Sequence, residues 1–549
     1  MLGLMQEQPL LISSLIEHAA ETHADRQVVS RDAAGGIRSF GYRALASRAR
    51  ALAEALIALG VKPGDRVATL AWNDHRHMEL YYAVSGIGAV IHTVNPRLFP
   101  QQIGFILNHA ESCCLFFDPG FTALVTELAP GLTAISHFVE MADEAAVPLP
   151  DDPFVRQNYE HLLAGRTGAF AWPPLDDRAA SGLCYTSGTT GDPKGVLYAH
   201  RSTVLHALSA GGPGGFNVTR DDVVLAVVPL FHVNAWGLPY VCALNGATLV
   251  LPGPRLDGAS IYELMRSQSC TMAFGVPTVW MGLIDHVKNN PQLRPPDELK
   301  LRRVIIGGAA APAALIDDLQ DLLGCDVVLA WGMTELSPLG SIGRVPRKGE
   351  LADEEARRRR LAKQGRAVFG VTMKIVDADG QALPRDGRAA GRLLVRGPWV
   401  TSGYFRHDAP LLDADGFFET GDIATIDPAG DLEITDRMKD VIKSGGEWIS
   451  SIELEGVASS HPAVAEAAVI AMPHPKWQER PLLIARLREG RSASADDILA
   501  HMAPHIAKWW MPDDVVFVDD IPHTATGKIQ KTKLRERFAG HQALQSGPN

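Results

Sequence analysis

The sequence contains little cysteine, no long hydrophobic run and no excess of basic residues. Its 549 residues include six cysteines, none in a CxxC pair or at zinc-ligand spacing, so we interpret them as small buried residues of a reducing compartment. No run of about 18 uncharged apolar residues occurs, so the sequence predicts no membrane-spanning helix. The net charge of −11 argues against a nucleic-acid partner, because nucleic-acid binding depends on Lys and Arg.

The N-terminal segment also lacks the marks of a secretory signal. Residues 1–22 contain no basic region, and they include Glu7 and Glu17. Apolar residues make up 46% and charged residues 21% of the chain, which are ordinary proportions for a folded protein. A chain of this length corresponds to about three to four domain-sized units. We therefore expect a cytoplasmic protein with several domains.

Helix and strand patterns alternate through most of the chain. Leu45, Leu52 and Leu56 recur at helical spacing, and the run 66–72 after a Pro-Gly-Asp turn has the pattern of a strand. The runs LRRVIIGG and DVVLAWG are each typical of a buried strand that ends in glycine. This alternation predicts an α/β fold built from stacked or doubly wound sheets.

The pattern changes near residue 436. From there the sequence predicts strands and two helices in an order typical of a separate α+β domain of roughly 110 residues. We predict an N-terminal domain of residues 1–435 and a C-terminal domain of residues 436–549. Before this boundary, the segment 354–365 contains four consecutive arginines, and we interpret it as a solvated helix face.

The segment YTSGTTGDPKG, residues 185–195, is the strongest local signal of chemistry. Its glycines allow close backbone approach to a ligand, and its hydroxyls and lysine are donors suited to phosphate oxygens. It is not a Walker A loop, because Asp192 and Pro193 separate Gly191 from Lys194. A ligand-free surface turn is the alternative. The residues that we predict to contact phosphate are Thr186, Ser187, Gly188, Thr189, Thr190 and Lys194.

This segment resembles the phosphate loop of the adenylate-forming superfamily, which includes acyl-CoA synthetases, luciferases and peptide-synthetase adenylation domains. Further superfamily motifs follow in the same order, and the resemblance covers essentially the whole chain. The finer pattern resembles bacterial medium- and long-chain fatty-acid–CoA ligases. The motifs are PLFHVNAWG (229–237), IIGGAAAP (305–312), WGMTELSP (331–338), GFFETGDIA (416–424), DRMKDVIKSGGEWIS (436–450) and PHTATGKIQK (522–531).

The resemblance implies a large N-terminal domain of stacked α/β subdomains, with a small β subdomain, and a small mobile α+β C-terminal domain. It implies that ATP and a carboxylic acid form acyl-AMP and pyrophosphate, after which the CoA thiol displaces AMP. An acid with a pKa of about 4 is already ionised at neutral pH, so the first step needs positive charge rather than a general base. Mg²⁺ is the implied metal, ATP and CoA are the implied co-substrates, and a homodimer is the expected assembly.

The implied acid is a medium-chain fatty acid. Two alternatives remain open: a short or methylthio-substituted acid such as methylthio-propanoate, and delivery of the acyl group to a carrier protein instead of CoA.

The resemblance assigns roles in the adenylation step to several residues. Thr186 and Glu335 are implied as Mg²⁺ ligands, and Glu335 follows a strand pattern at whose carboxyl end ligands bind in α/β sheets. Thr334 is the implied α-phosphate contact, and Lys528 the cation for the α-phosphate and carboxylate oxygens. Asp422 is the implied acceptor for the ribose hydroxyls. The other residues implied in nucleotide binding are Arg437, Gly307, Gly308, Trp331 and Gly332.

Roles in the second step are also implied by resemblance. The C-terminal domain would rotate about Lys439, so that Lys443 and the turn containing Gly445 replace Lys528 at the site. Trp448 would pack near the nucleotide, with a core aromatic as the alternative.

Two residues of the motif 229–237 are implied at the boundary between the acyl pocket and the CoA tunnel. Trp236 matches an aromatic gate. His232 lines the boundary, with a satisfied core histidine as the alternative.

Overall fold

The structure is a computed structural model that describes residues 1, 3–143, 154, 156–186, 193–346, 350–351, 353–445, 447–523 and 528–541. Its strands are β1 Gln27–Arg31, β2 Ile37–Gly41, β3 Arg66–Leu70, β4 Val90–Thr93, β5 Ser112–Phe117, β6 His137–Glu140, β7 Arg156–Asn158, β8 Ala180–Tyr185, β9 Gly195–Ala199, β10 Val223–Ala226, β11 Thr248–Leu251, β12 Met272–Gly275, β13 Arg303–Ile306, β14 Asp326–Gly332, β15 Leu339–Ile342, β16 Arg366–Ala367, β17 Thr372–Val376, β18 Gly391–Arg396, β19 Phe418–Ile426, β20 Leu432–Arg437, β21 Ile442–Ser444, β22 Glu447–Ile449, β23 Val464–His474, β24 Gln478–Leu487 and β25 Asp514–Phe517.

The helices alternate with these strands in the N-terminal part. They are α1 Ile12–Thr22, α2 Tyr42–Ala58, α3 His75–Gly86, α4 Pro100–His109, α5 Thr122–Leu128, α6 Tyr159–Leu163, α7 His200–Gly211, α8 Leu238–Asn245, α9 Gly258–Ser267, α10 Pro277–Lys288, α11 Pro295–Glu298, α12 Ala313–Leu323, α13 Glu354–Leu361, α14 Ser451–Ser459, α15 Ala495–Met502 and α16 Lys531–Arg537.

Two large sheets form the framework of the N-terminal part. The nine-stranded sheet has the order β16-β15-β14-β13-β12-β10-β11-β1-β2, and its central strands from β14 to β1 are parallel. The seven-stranded sheet has the order β7-β6-β5-β3-β4-β8-β9, with only β9 antiparallel to its neighbour. Parallel strands are covered on both faces, which explains why β13 and β14 are almost continuously apolar. The predicted α/β architecture is confirmed.

Helices cover both faces of these sheets. One hydrophobic core joins side chains of both large sheets with helices α1, α2, α3, α7 and α8. A second core packs α9, α10 and α12 on the other face of the nine-stranded sheet. A third packs α4 and α5 on the seven-stranded sheet.

Two smaller sheets follow along the chain. Strands β17-β18-β19-β20 form an antiparallel sheet, and a five-stranded sheet with the order β22-β21-β24-β23, to which β25 adds in parallel, begins at Ile442. Helices α14 and α15 pack on one core of this last sheet, and α16 on another. The predicted small α+β region is confirmed. β20 extends through Arg437, two residues beyond the predicted end of the first domain, so the boundary itself stays a prediction.

The arginine-rich segment forms α13, which is largely exposed as predicted. Its arginines are nevertheless paired with acids: Arg357 with Glu354, Arg359 with Glu355, and Arg360 with the buried Asp431. Across the described residues, the structure contains no helix with both the length and the apolarity to cross a membrane.

Candidate active site

A cavity of about 2060 Å³ opens where the carboxyl ends of the N-terminal parallel strands face the C-terminal α+β region. Strands β10, β12, β13 and β14 all end at its wall, as expected for a ligand site in a parallel sheet. The sequence-predicted residues that line it are Thr186, Lys194, His232, Trp236, Gly307, Gly308, Trp331, Gly332, Thr334, Glu335, Asp422, Arg437, Lys439 and Lys528. Ser187, Gly188, Thr189 and Thr190 lie outside the described residues.

Lys528 brings a positive charge from the C-terminal region into this cavity. Burial, followed by the positive charge of Arg437, lowers the pKa of Lys528 to about 8, whereas the carboxylates of Asp422 and Glu335 oppose the shift. The lysine is therefore still mostly protonated at neutral pH, and its cationic form is lost above about pH 8. The fold therefore places Lys528 within electrostatic range of Arg437, Asp422 and Glu335, which are distant from it in the sequence.

Asp422 is fixed by two donors. The Trp331 Nε1–H donates to Oδ2 at 2.9 Å, and the Arg437 Nε lies 2.8 Å from Oδ1. The pairing of β19 with β20 places Asp422 directly opposite Arg437, which explains the ion pair. The carboxylate is buried, and each of its oxygens retains a second lone pair that can accept a ribose hydroxyl.

Thr334 and Glu335 lie in a short 3-10 turn, Thr334–Leu336, directly after β14. The Tyr404 hydroxyl donates to Glu335 Oε1 at 2.8 Å, and the Tyr198 hydroxyl donates to the Thr334 carbonyl at 2.8 Å. Burial, and then the negative charge of Glu335, raises the pKa of Tyr404, so its hydroxyl remains a donor at neutral pH. Gly332 is required before this turn, because a Cβ there would lie 2.2 Å from the Pro338 carbonyl oxygen.

Thr186 and Lys194 mark the two ends of the predicted phosphate loop. They connect the antiparallel strands β8 and β9, and the Thr186 amide donates to the Lys194 carbonyl at 2.9 Å. The Lys194 Nζ lies 5.0 Å from the ring centre of Tyr404. The pairing of β8 with β9 brings Thr186 to the same cavity as Glu335. Hydroxyl and carboxylate oxygens fit Mg²⁺, which combines few protein ligands with substrate phosphates.

Gly307 and Trp236 close the inner side of the cavity. A Cβ on Gly307 would lie 3.0 Å from both the Ala330 carbonyl oxygen and the Trp236 ring. Gly308 has a φ of +81°, which favours glycine. The indole therefore lies against backbone that carries no side chain.

The turn that carries Trp236 has an unusual backbone. Val233, Asn234, Ala235 and Trp236 all have φ between 46° and 57°, the left-handed region that costs non-glycine residues about 1–2 kcal/mol each. The Val233 amide donates to the Cys184 Sγ at 3.4 Å. The strain is concentrated in the segment that the family resemblance implies at the boundary between the acyl pocket and the CoA tunnel.

His232 precedes this turn and lines the cavity. Burial, assisted by the positive charge of Lys528, lowers the pKa of His232 to about 4. The imidazole is therefore neutral at pH 7. It can donate or accept a hydrogen bond, but it adds no positive charge for the phosphates.

Lys443, Gly445 and Trp448 do not line the cavity. Lys443 lies in β21 with an exposed side chain, and Trp448 in β22 is 39% exposed. Trp448 pairs with Lys443 across β21 and β22, on the face opposite the buried Ile449, so it lies neither in the cavity nor in a core in this structure. Gly445 has a φ of +61°, and a Cβ there would lie 3.0 Å from the Trp477 ring.

Three tyrosines that lie outside the predicted set of site residues fix the backbone and side chains of the site. Tyr198 and Tyr404 reach Thr334 and Glu335 across 136 and 69 residues of chain. Tyr81 similarly donates to the Asn234 side chain at 3.3 Å across 153 residues. No motif in the sequence marks these three tyrosines, so only the fold reveals their contacts.

Comparison with known proteins gives a consistent result. The family model described as AMP-binding enzyme matches residues 16–405, and the model of the AMP-binding enzyme C-terminal domain matches residues 453–528. A 3-methylmercaptopropionyl-CoA ligase of Ruegeria pomeroyi is 49% identical over 541 residues, covering 98% of this chain and 99% of the relative. A medium-chain-fatty-acid–CoA ligase of Ectopseudomonas oleovorans is 46% identical over 539 residues, covering 98% of each chain.

Among solved structures, an anthranilate CoA ligase, AuaEII, in complex with anthranoyl-AMP has a TM-score of 0.86. The alignment covers 98% of this chain and 99% of that chain at 24% sequence identity, and at that identity it supports the fold.

Proposed function

This chain belongs to the AMP-binding enzyme family and is an AMP-forming acyl-CoA ligase, and from that premise we propose that its acid substrate is a medium-chain fatty acid. In the proposed reaction ATP activates the acid as acyl-AMP with release of pyrophosphate. The CoA thiol then displaces AMP to give acyl-CoA.

The observation that carries the choice of acid is an apolar channel beyond Trp236 and the glycines. Residues on one stripe of α10 line the cavity along nearly the whole helix, which is about 18 Å long at 1.5 Å per residue. The opposite wall comes from the loop before α12 and its first turn. The apolar side chains of the channel are Val279, Met281, Ile284, Ala311 and Leu315.

The far end of the channel is polar. Lys288 and Asp318 line it and form an ion pair at 2.7 Å on the surface between α10 and α12. An aliphatic tail would therefore contact the apolar side chains of α10 and α12, although Thr278 and Asp285 of α10 also line the cavity. This arrangement supports an unbranched acid whose tail extends along α10.

A short methylthio-substituted acid is the second candidate. The observation that favours it is the 49% identity with the 3-methylmercaptopropionyl-CoA ligase, compared with 46% for the medium-chain ligase. Such an acid would occupy only the inner part of the channel, next to Trp236.

In the proposed adenylation step, the protein brings two anions together by electrostatic stabilisation. Lys528 supplies a point charge for the α-phosphate and the attacking carboxylate, while Asp422 holds the ribose beside Arg437. Thr334 contacts the α-phosphate from the turn after β14. Thr186 and Glu335 are the residues that would hold Mg²⁺, which when bound supplies charge neutralisation on the phosphates.

In the proposed second step, the C-terminal domain rotates about Lys439. Lys443 and Gly445, which are exposed in this structure, then face the cavity in place of Lys528. When the face that carries Lys443 replaces the face that carries Lys528, the CoA thiol would be able to reach the acyl carbonyl. Trp236 and His232 would line that path.

The acid panel is the direct test of the proposed substrate. Purified protein is incubated with Mg-ATP, CoA and straight-chain acids from acetate to palmitate, or with methylthio-propanoate, and AMP and thioester are measured. An optimum between hexanoate and dodecanoate supports the proposal. A preference for methylthio-propanoate supports the second candidate, and AMP or pyrophosphate without thioester indicates a carrier protein as acceptor.

A channel variant sharpens this test. Met281→Trp narrows the channel along α10, so we expect the optimum to move to shorter acids while activity with the shortest acids is retained. Met5→Trp is the matched control, because Met5 is exposed and lies outside the cavity. An unchanged optimum in Met281→Trp would remove this channel from the acyl site.

A further inference from the structure

A buried cluster of charged and polar side chains lies beside the cavity. We call Asp436, Ser451, Glu455 and Lys531 the anchor cluster. The Lys531 Nζ donates to the Ser451 hydroxyl oxygen at 2.6 Å and lies 2.6 Å from Glu455 Oε1. The Ser451 hydroxyl donates in turn to Asp436, at 2.8 Å from Oδ2, and the Ser451 amide donates to the same oxygen at 2.6 Å. Asp436 and Ser451 are essentially inaccessible to solvent, and Lys531 is 9% exposed.

The cluster joins three elements that carry parts of the active site. Asp436 lies in β20, one residue before Arg437. Ser451 and Glu455 lie one turn apart in α14. Lys531 is the first residue of α16, three residues after Lys528.

Further contacts fix the same junction. The Ser450 hydroxyl donates to the Thr435 carbonyl at 2.5 Å, next to the Asp436–Ser451 contact. On the other side, the Gln530 amide donates to the Pro522 carbonyl at 2.7 Å, and the Val469 amide donates to Glu455 Oε1 at 2.7 Å. The segment that carries Lys528 is therefore held to β20 through Lys531 and Ser451.

We propose that Lys531 is a positioning residue that holds Lys528 in the cavity for the adenylation step. The inference rests on the proposed function, because it assigns Lys528 to that step. Lys531 also lines the cavity, and its ammonium is held by contacts with Ser451 and Glu455. The contacts of its ammonium fix the first residue of α16, and this restricts the position of Lys528 three residues earlier in the chain.

The anchor cluster also lies on both sides of the proposed hinge at Lys439. Asp436 precedes the hinge, whereas the other three members follow it. Rotation of the C-terminal domain would separate Asp436 from Ser451, so the cluster stabilises the arrangement with Lys528 inside. A contact that only stabilised the fold would affect both half-reactions equally. The Asp436–Ser451 contact is expected to favour adenylation alone, because rotation breaks it before the second step.

The test compares Lys531→Met with wild type in the two half-reactions. Pyrophosphate release from octanoate and Mg-ATP is expected to fall roughly 10- to 100-fold, the scale of a small misplacement of a catalytic group. Conversion of supplied octanoyl-AMP to octanoyl-CoA is expected to stay within about twofold, since Lys528, the residue that Lys531 positions, lies outside the cavity in that step. Lys508→Met, at an exposed lysine of the same region, is the matched control and should change neither.

Ser451→Ala provides a milder second variant if Lys531→Met is poorly folded. It removes the hydroxyl that joins Lys531 to Asp436, and about a 3- to 10-fold loss confined to pyrophosphate release is expected. In both variants the upper limb of the pH profile for pyrophosphate release should move above pH 8, because Lys528 becomes better solvated. Equal loss of both half-reactions, or no loss in either, would overturn the proposal.

Labelling of lysines in the full-length protein separates failure of this inference from failure of the proposed function. With an amine-reactive acetylating reagent and mass spectrometry, Lys528 is expected to be protected relative to the exposed Lys443 in wild type, and to lose protection in Lys531→Met. If no acid supports pyrophosphate release by the wild-type protein, the proposed function is wrong. If Lys528 stays equally protected in Lys531→Met, the positioning role of Lys531 is wrong, whatever the outcome for the proposed function.

Discussion

Two lysines of the C-terminal region differ in their exposure to solvent. Lys528 lies in the cavity among Arg437, Asp422 and Glu335, and its pKa is lowered by burial to about 8. The Lys443 side chain is exposed on β21, between the buried Ile442 and Ser444, and does not line the cavity. One small domain thus presents one lysine to the site and the other to solvent, which fits a reaction with two steps that use different faces of the domain.

Replacement of Lys528 is expected to give the largest effect. Lys528→Ala should reduce pyrophosphate release from octanoate and Mg-ATP by about 1,000-fold, because it removes the positive charge for two anions that must approach each other. The conversion of supplied octanoyl-AMP to octanoyl-CoA should remain near the wild-type rate. Lys508→Ala serves as the control for loss of a lysine from this region, and equal loss of both steps in Lys528→Ala would break the comparison.

Replacement of Lys443 is expected to slow the second step rather than the first, by a smaller factor than the replacement of Lys528 slows the first. Lys443→Ala should slow octanoyl-CoA formation by about 10- to 100-fold, the usual range for loss of one positioned group. Pyrophosphate release should continue until octanoyl-AMP has accumulated on the enzyme, as seen in a quenched single-turnover assay. A normal rate of CoA transfer would remove Lys443 from the mechanism.

The pH dependence of the first step should follow Lys528. Because burial lowers the pKa of Lys528 to about 8, the ammonium is present below that pH and is lost above it. The kcat/KM for ATP in pyrophosphate release should therefore decrease as the pH rises through about 8. Lys528→Arg, whose guanidinium stays charged, should lack this decrease at lower overall activity. A wild-type profile that stays flat to pH 10 would contradict the environment described for Lys528.

The smallest expected effect concerns Gly445, next to Lys443 on the exposed face. Gly445→Ala places a side chain at a φ of +61°, so a stability loss of about 1 kcal/mol is expected from thermal unfolding. Pyrophosphate release should stay near the wild-type rate, while octanoyl-CoA formation should decrease several-fold. A larger effect on pyrophosphate release than on CoA transfer would reverse the assignment of the two faces.

The elements of the fold could be predicted from the sequence because apolar runs and turn residues are local information. The predicted site residues were implied instead by short motifs that resemble those of the adenylate-forming superfamily. Apolar runs such as the one in β14 indicate buried strands, and the motif after it places Thr334 and Glu335 at the strand end. The pairing of Asp422 with Arg437 required the register of β19 and β20, which no local pattern contains.

Contacts between distant segments explain what the sequence did not reveal. Tyr404 and Tyr198 orient the turn after β14, although neither lies in a motif segment with a hydrogen-bonding signature. Lys531 stands within the quoted motif 522–531, yet its burial against Ser451 depends on the packing of α14 and α16. Trp448 is exposed because it shares the outer face of β21 and β22 with Lys443, and a three-residue strand is too short for its sequence pattern to show which face is buried.

The central claim, that one domain presents its two faces in turn, is tested most directly by a distance measurement in solution. Spin labels at Lys62→Cys and Lys508→Cys, both exposed, report the separation of the two parts of the molecule by pulsed electron paramagnetic resonance. With ATP alone we expect one distance, that of the arrangement described here. With a stable octanoyl-AMP analogue and CoA we expect a second distance to become dominant. A single unchanged distance under both conditions would contradict the account.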